Sequence, residues 1–166
     1  MSMKQSKTSE RPRARAARTA RAVRAEGGCL CGAVRYEVTG PLRPVLACHC
    51  TQCRRQTGHF MAATAAARKD FALMRRAGLR WYVSSAKARR GFCGRCGSTL
   101  FWDGRGRDYI AIAAGTLDGK TGLKLARHIF TADKGDYYRI ADGLPRSRGG
   151  HLPAVKRAQA RHRPTP

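Results

Sequence analysis

The chain has 166 residues, of which 42% are hydrophobic and 7% aromatic, and carries a formal charge of +24 at pH 7. That length suits one domain rather than two, no run approaches the ~20 apolar residues that cross a bilayer, and the basic N-terminus lacks the apolar stretch of a secretory signal. A cytoplasmic, reducing location is expected, and there seven cysteines favour metal over disulfides.

Residues 1–25 hold a net +7 and, apart from Val23 and the methionines, no bulky apolar side chain, so they are expected to form a disordered basic tail. Order is expected from Gly27-Gly28-Cys29-Leu30-Cys31-Gly32, where glycines bracket a C-x-C pair and allow the tight backbone path of a metal knuckle. Ala33 to Val38 alternates, with Val34, Tyr36 and Val38 opposite Arg35 and Glu37, and predicts a strand. Gly40-Pro41 ends it, and a short strand over Val45-Leu46-Ala47 leads into Cys48-His49-Cys50-Thr51-Gln52-Cys53. Thr51 to Gln56 is predicted as a short helix stopped at Gly58.

His59 to Arg68 reads as a strand, with helix as the competing reading because Ala is the best helix former. After a connection over Lys69 to Gly78, Leu79 to Val83 and Arg89 to Phe92 give two more strands and lead to a second knuckle, Cys93-Gly94-Arg95-Cys96-Gly97. Thr99 to Trp102 and Tyr109 to Ala113 form a hairpin across the turn residues Asp103-Gly104-Arg105-Gly106, and His128 to Phe130 is a last short strand. Residues 146–166, with a net +6, are read as a second disordered basic tail. Residues 26–145, with +11, remain as the single, mainly β domain.

All seven cysteines lie at ligand-like spacings. Cys29, Cys31, Cys93 and Cys96 divide naturally into one closed four-thiol site, and Cys48, Cys50 and Cys53 into a three-thiol site. Structural zinc sites are usually closed by four protein ligands, whereas catalytic sites usually leave one position to water or substrate, so the trio is the candidate reaction centre. The alternative is two closed sites, the second completed by His49 or His59. His49, His59 and His128 are candidate general bases that sequence cannot place; His49, between two ligands, is expected to point away from the metal. Phe92, Phe101 and Trp102 are read as core packing in preference to pocket lining.

The order G-G-C-x-C-G, C-H-C-x-x-C-R-R, F-C-x-x-C-G-S, A-G-T-L-D, H-I-F and D-G-L-P over about residues 26 to 145 resembles the glutathione-dependent formaldehyde-activating enzyme family, which includes centromere protein V. The resemblance implies an Mss4-like β domain with two zinc ions. Cys29, Cys31, Cys93 and Cys96 resemble the family's structural-zinc ligands, and Cys48, Cys50 and Cys53 its catalytic-zinc ligands. It also implies a carbon–sulfur lyase that forms or cleaves S-hydroxymethylglutathione-type adducts, with glutathione and an aldehyde as partners. Arg54, beside the trio, is expected to bind the thiol's carboxylates, and Arg55 to lie on a solvated helix face. The alternative function is a non-catalytic zinc module that binds nucleic acid through its basic tails.

Overall fold

Ten strands form between the glycine and proline breaks of the described chain, which in this computed structural model is residues 24–150. In order they are Ala25–Gly28 (β1), Arg35–Val38 (β2), Val45–Cys48 (β3), Met61–Ala67 (β4), Phe71–Arg75 (β5), Leu79–Ser85 (β6), Ala88–Cys93 (β7), Thr99–Gly104 (β8), Tyr109–Ala113 (β9) and Leu125–Ile129 (β10). A seven-residue helix, Thr51–Thr57 (α1), follows β3. Strands β1-β2-β5 make a small sheet, and β10-β3-β4-β9-β8-β7-β6 make a seven-stranded one. Only the β10–β3 pair is parallel among these ladders.

The main core lies between the two sheets. Val34, Tyr36 and Val38 are fully buried, as their alternation predicts, and pack with Leu100, Phe101, Ile110 and Ile112. Phe101 meets Tyr36 and Phe71 edge-on, each with ring centroids 5.3 Å apart, contacts worth about 0.5–1.5 kcal/mol beyond the area buried. Side chains alternate along a strand, so the neighbours of these core residues point the other way. Tyr109, Ala111, Trp102 and Arg90 therefore face out of the core, aligned by the registers Ala65↔Ala111, Trp102↔Ala111 and Arg90↔Trp102. That outer face is covered at one end by α1, where Cys53 packs on Met61 and Ala63 in a second, smaller cluster.

The helix is fixed at both ends. Cys50 is its N-cap and accepts the N–H of Cys53, while Gly58, at φ 79°, closes it with an N–H bond to the Arg54 carbonyl. The Ala-rich segment is strand rather than helix: β4 lies between β3 and β9, and its alanines let α1 and the main core approach from opposite faces. Three expectations are corrected. A strand, β1, starts at Ala25, before the expected onset of order; Phe71–Arg75 is a strand inside the expected connection; and residues 146–150 run beside β10, with Ser147 N–H bonding the His128 carbonyl and Phe130 N–H the Gly149 carbonyl. The rest of both expected tails, residues 1–23 and 151–166, lies outside the described residues. No helix among the described residues is long and apolar enough to cross a membrane.

Candidate metal centre

The two short cysteine pairs, about 60 residues apart in sequence, meet at one end of the fold. Cys93 is the last residue of β7, and the Sγ atoms of Cys29, Cys31, Cys93 and Cys96 all lie within 4.8 Å of one another. Gly32 and Gly97, at φ 73° and 75°, turn the chain back after each pair and donate their N–H groups to the Cys29 and Cys93 carbonyls, a backbone region open mainly to glycine. Val34 N–H reaches Cys29 Sγ at 3.2 Å, and the Ser98 hydroxyl lies 3.2 Å from Cys96 Sγ. Hydrogen bonding to Ser98 pulls the Cys96 thiol down to about 5. The Cys29–Cys31 and Cys31–Cys93 sulfurs are 3.6 and 3.8 Å apart. A tetrahedral ion bound by thiolates at about 2.3 Å spaces its sulfurs by about 3.8 Å, so this donor set fits a metal ion.

The central motif forms the second cluster. Cys48 ends β3, Cys50 caps α1 and Cys53 sits in its first turn, with all three sulfurs within 4.8 Å of one another. Hydrogen bonds with Cys48 and Cys53 hold the Cys50 thiol far below its ordinary value, while hydrogen bonds with Cys50 and Cys53 push Cys48 up. Hydrogen bonding within the trio thus favours the thiolate form of Cys50.

Arg90, on the outer face of β7 and only 5% exposed, supplies the compensating cation. Both terminal nitrogens lie 3.6 Å from Cys53 Sγ, and they donate to the Gln56 and Gln52 side-chain oxygens at 3.1 Å each. Three residues of α1 therefore grip one guanidinium. The sequence pointed instead to Arg54, and read Arg55 as a residue of a solvated helix face. Arg55 is exposed and lines a neighbouring groove with Tyr82 and Phe92, and Arg54 is half-buried, with an unpartnered Nε, away from the cavity described below. No local signal singles out Arg90, because its partners are 34 and 38 residues away.

No histidine closes the trio among the described residues. His49 is buried on the opposite side, bonded through Nδ1 to the Tyr138 hydroxyl and through Nε2 to His128 Nδ1 at 2.8 Å. His128 in turn bonds Asp142 at 2.8 Å, which holds that carboxyl below its usual range. Burial pushes the His49 imidazole down to about 4, so it stays neutral at pH 7. His59 lies 3.2 Å from the Tyr137 hydroxyl. The alternative in which His49 or His59 completes the second site is therefore not formed.

The trio opens into a cavity of about 560 Å³ on the outer face of the large sheet. All three sulfur-bearing residues line it, and none of the four-cysteine cluster does. Arg43, Arg90 and Arg107 stand on its wall, and the buried Nε atoms of Arg43 and Arg90 have no partner. Trp102 also lines it, so of the three aromatics read as core only Phe101 is fully buried there.

The profile described as glutathione-dependent formaldehyde-activating enzyme matches residues 24–133, two thirds of the chain. The chain belongs to the glutathione-dependent formaldehyde-activating enzyme family. Within the matched span lie all seven cysteines and Arg90. An uncharacterized lyase of Schizosaccharomyces pombe is 29% identical over 119 residues, covering 70% of this chain and 85% of that protein. A solved structure of a Rhodobacter sphaeroides protein is 28% identical, covers 57% of this chain and 89% of its own, and superposes with a TM-score of 0.48.

Proposed function

We propose that this family member is a zinc-dependent carbon–sulfur lyase that makes or breaks adducts between an aldehyde and a low-molecular-weight thiol of the glutathione type. One observation carries the reading: the three-thiol cluster lines a cavity, while the four-thiol cluster does not. On this reading Cys29, Cys31, Cys93 and Cys96 would hold a structural zinc, in a two-knuckle, Mss4-like arrangement, and Cys48, Cys50 and Cys53, being only three ligands, would hold a second, catalytic zinc. Bound there, zinc would lower the pKa of a substrate thiol.

The chain's own residues do the rest. Arg90 keeps positive charge against the sulfurs through its contact with Cys53. Arg43 and Arg107, with the free Nε of Arg43, bind the carboxylates of an anionic thiol, the role the sequence suggested for Arg54. Holding thiol and aldehyde in one cavity makes their addition effectively intramolecular. In the addition the thiol sulfur bonds to the carbonyl carbon, the carbonyl oxygen takes up the proton that the thiol loses, and the lyase direction reverses both events.

Exchange spectroscopy by NMR on mixtures of glutathione and formaldehyde tests this. Zinc-loaded protein should accelerate interconversion of free aldehyde and S-hydroxymethylglutathione, and Cys50→Ser should abolish the acceleration while leaving the fold intact. Interconversion at the uncatalysed rate, with both metal sites filled, would contradict the proposal.

A further inference from the structure

The cavity, of about 560 Å³, falls in the range of sites that enclose whole organic ligands, and part of its wall is apolar. Formaldehyde adds only one carbon and one oxygen to the thiol it joins. Leu46, Met61, Ala63 and Ala111, from β3, β4 and β9, line it, and Trp102, stacked on Tyr109 at 6.3 Å and 29°, forms a flat wall. Trp102 is the register partner of Arg90, so that wall begins one residue away from the guanidinium that touches Cys53.

Phe130, which also lines the cavity, is under unusual constraint. It is the only non-glycine residue with positive φ among the described residues, at 56°, a conformation costing a bulky side chain roughly 1–2 kcal/mol. Gly150 packs against its ring so closely that a Cβ there would stand 2.3 Å from Phe130 Cζ. The fold thus holds an aromatic ring in a strained position at the cavity, where strain commonly accompanies ligand binding. The charged ends of a glutathione-type thiol are matched by Arg43 and Arg107, and the apolar wall is left for something else.

We propose that this wall receives the carbon substituent of the aldehyde, and that the site takes thiol adducts of bulky apolar aldehydes, aryl or arylalkyl, in preference to those of formaldehyde. The inference rests on the thiol–aldehyde reading given above. The bond changes are the same for any aldehyde: the sulfur–carbon bond forms as the carbonyl opens, and one proton passes from sulfur to oxygen.

The test separates binding from turnover. Two non-reacting thioethers, S-benzylglutathione and S-methylglutathione, are titrated calorimetrically into the zinc-loaded full-length protein, and exchange of glutathione with phenylacetaldehyde and with formaldehyde is measured in parallel. Burial of a phenyl ring predicts at least about tenfold tighter binding of the benzyl compound. Trp102→Ala should erase that preference without weakening the methyl compound, and Phe130→Gly, which relieves the strained backbone, should reduce it. Equal affinities, or a preference untouched in both variants, overturn the proposal, even if formaldehyde exchange is fast and the reaction class stands. A benzyl preference lost in the variants, with neither aldehyde exchanged, upholds the apolar subsite and overturns the reaction class instead.

Discussion

Arg90 shows how much of a site can depend on one side chain that local sequence does not mark. Its guanidinium is buried against Cys53 and held by Gln52 and Gln56, a charge-assisted arrangement worth roughly 1.5–3 kcal/mol. Arg90→Gln should weaken metal binding at the three-thiol site by about ten- to a hundredfold, read by competition with a chromophoric chelator, and Arg90→Lys should recover part of it. Unchanged affinity in both variants would remove Arg90 from the account. Asp103 plays a comparable structural part, since Arg68 and Arg89 both bond its buried carboxylate. Burial opposes the charge, but the two arginines prevail and hold the group below 3.8. A depressed carboxylate stabilises the fold above its unfolded value and loses that contribution as pH falls through the folded one. Asp103→Asn should therefore lower stability by about 1–2 kcal/mol at pH 7, given half-exposed arginine partners, with the gap to wild type closing below pH 3.8 in denaturant titrations. The cysteine clusters were legible because C-x-C and C-x-x-C spacings are local; Arg90 and Trp102 were not, because strand register across the sheet brings them to the cavity.

At the scale of elements, the strands that alternate or end in turn residues were readable, and those placed by tertiary pairing alone were not. Arg35–Val38 buries Tyr36 and Val38 as its pattern requires. Phe71–Arg75 reads Phe-Ala-Leu-Met-Arg, without alternation, and becomes a strand because β2 offers it an edge. The ambiguity of the alanine segment was likewise settled by neighbours, β3 and β9, rather than by propensity. The two thiol clusters differ in what they support. Cys93 joins β7 to the four-thiol cluster and is wholly buried in the main core, whereas Cys50 caps one short helix. A structural zinc contributes roughly 10 kcal/mol or more of apparent binding free energy to a small domain. Cys93→Ser should thus fail to give a cooperative thermal transition, and Cys50→Ser should melt near the wild type while losing adduct exchange. Equal melting of the two variants would erase the division of roles.

For the whole molecule, two features stand apart: an open sheet face bearing the three-thiol cavity, and a charge of +24 of which the terminal segments 1–25 and 146–166 hold +7 and +6. Charge of this size favours adhesion to nucleic acid through phosphate contacts alone. Removing residues 1–23 and 151–166, which carry +6 (seven basic residues, one acidic) and +4 (four basic) of that charge, should weaken the adhesion and its salt dependence and leave exchange unchanged, because every cavity-lining residue lies within 24–150; filter binding across a salt series, with activity assayed on the same preparations, checks both halves. Sequence-selective, salt-resistant binding without exchange would favour the nucleic-acid module over the enzyme.

We propose that the seven thiols make one closed and one open metal site, and that the open one accepts a substrate thiol. Cobalt substitution tests it most directly, because cobalt absorption reports both the number of thiolate ligands and any change among them. Two cobalt equivalents per chain are expected, with a spectral change on adding glutathione that is absent from Cys50→Ser; a single equivalent, or a two-cobalt spectrum that glutathione leaves unmoved, would show that no open thiol-accepting site exists.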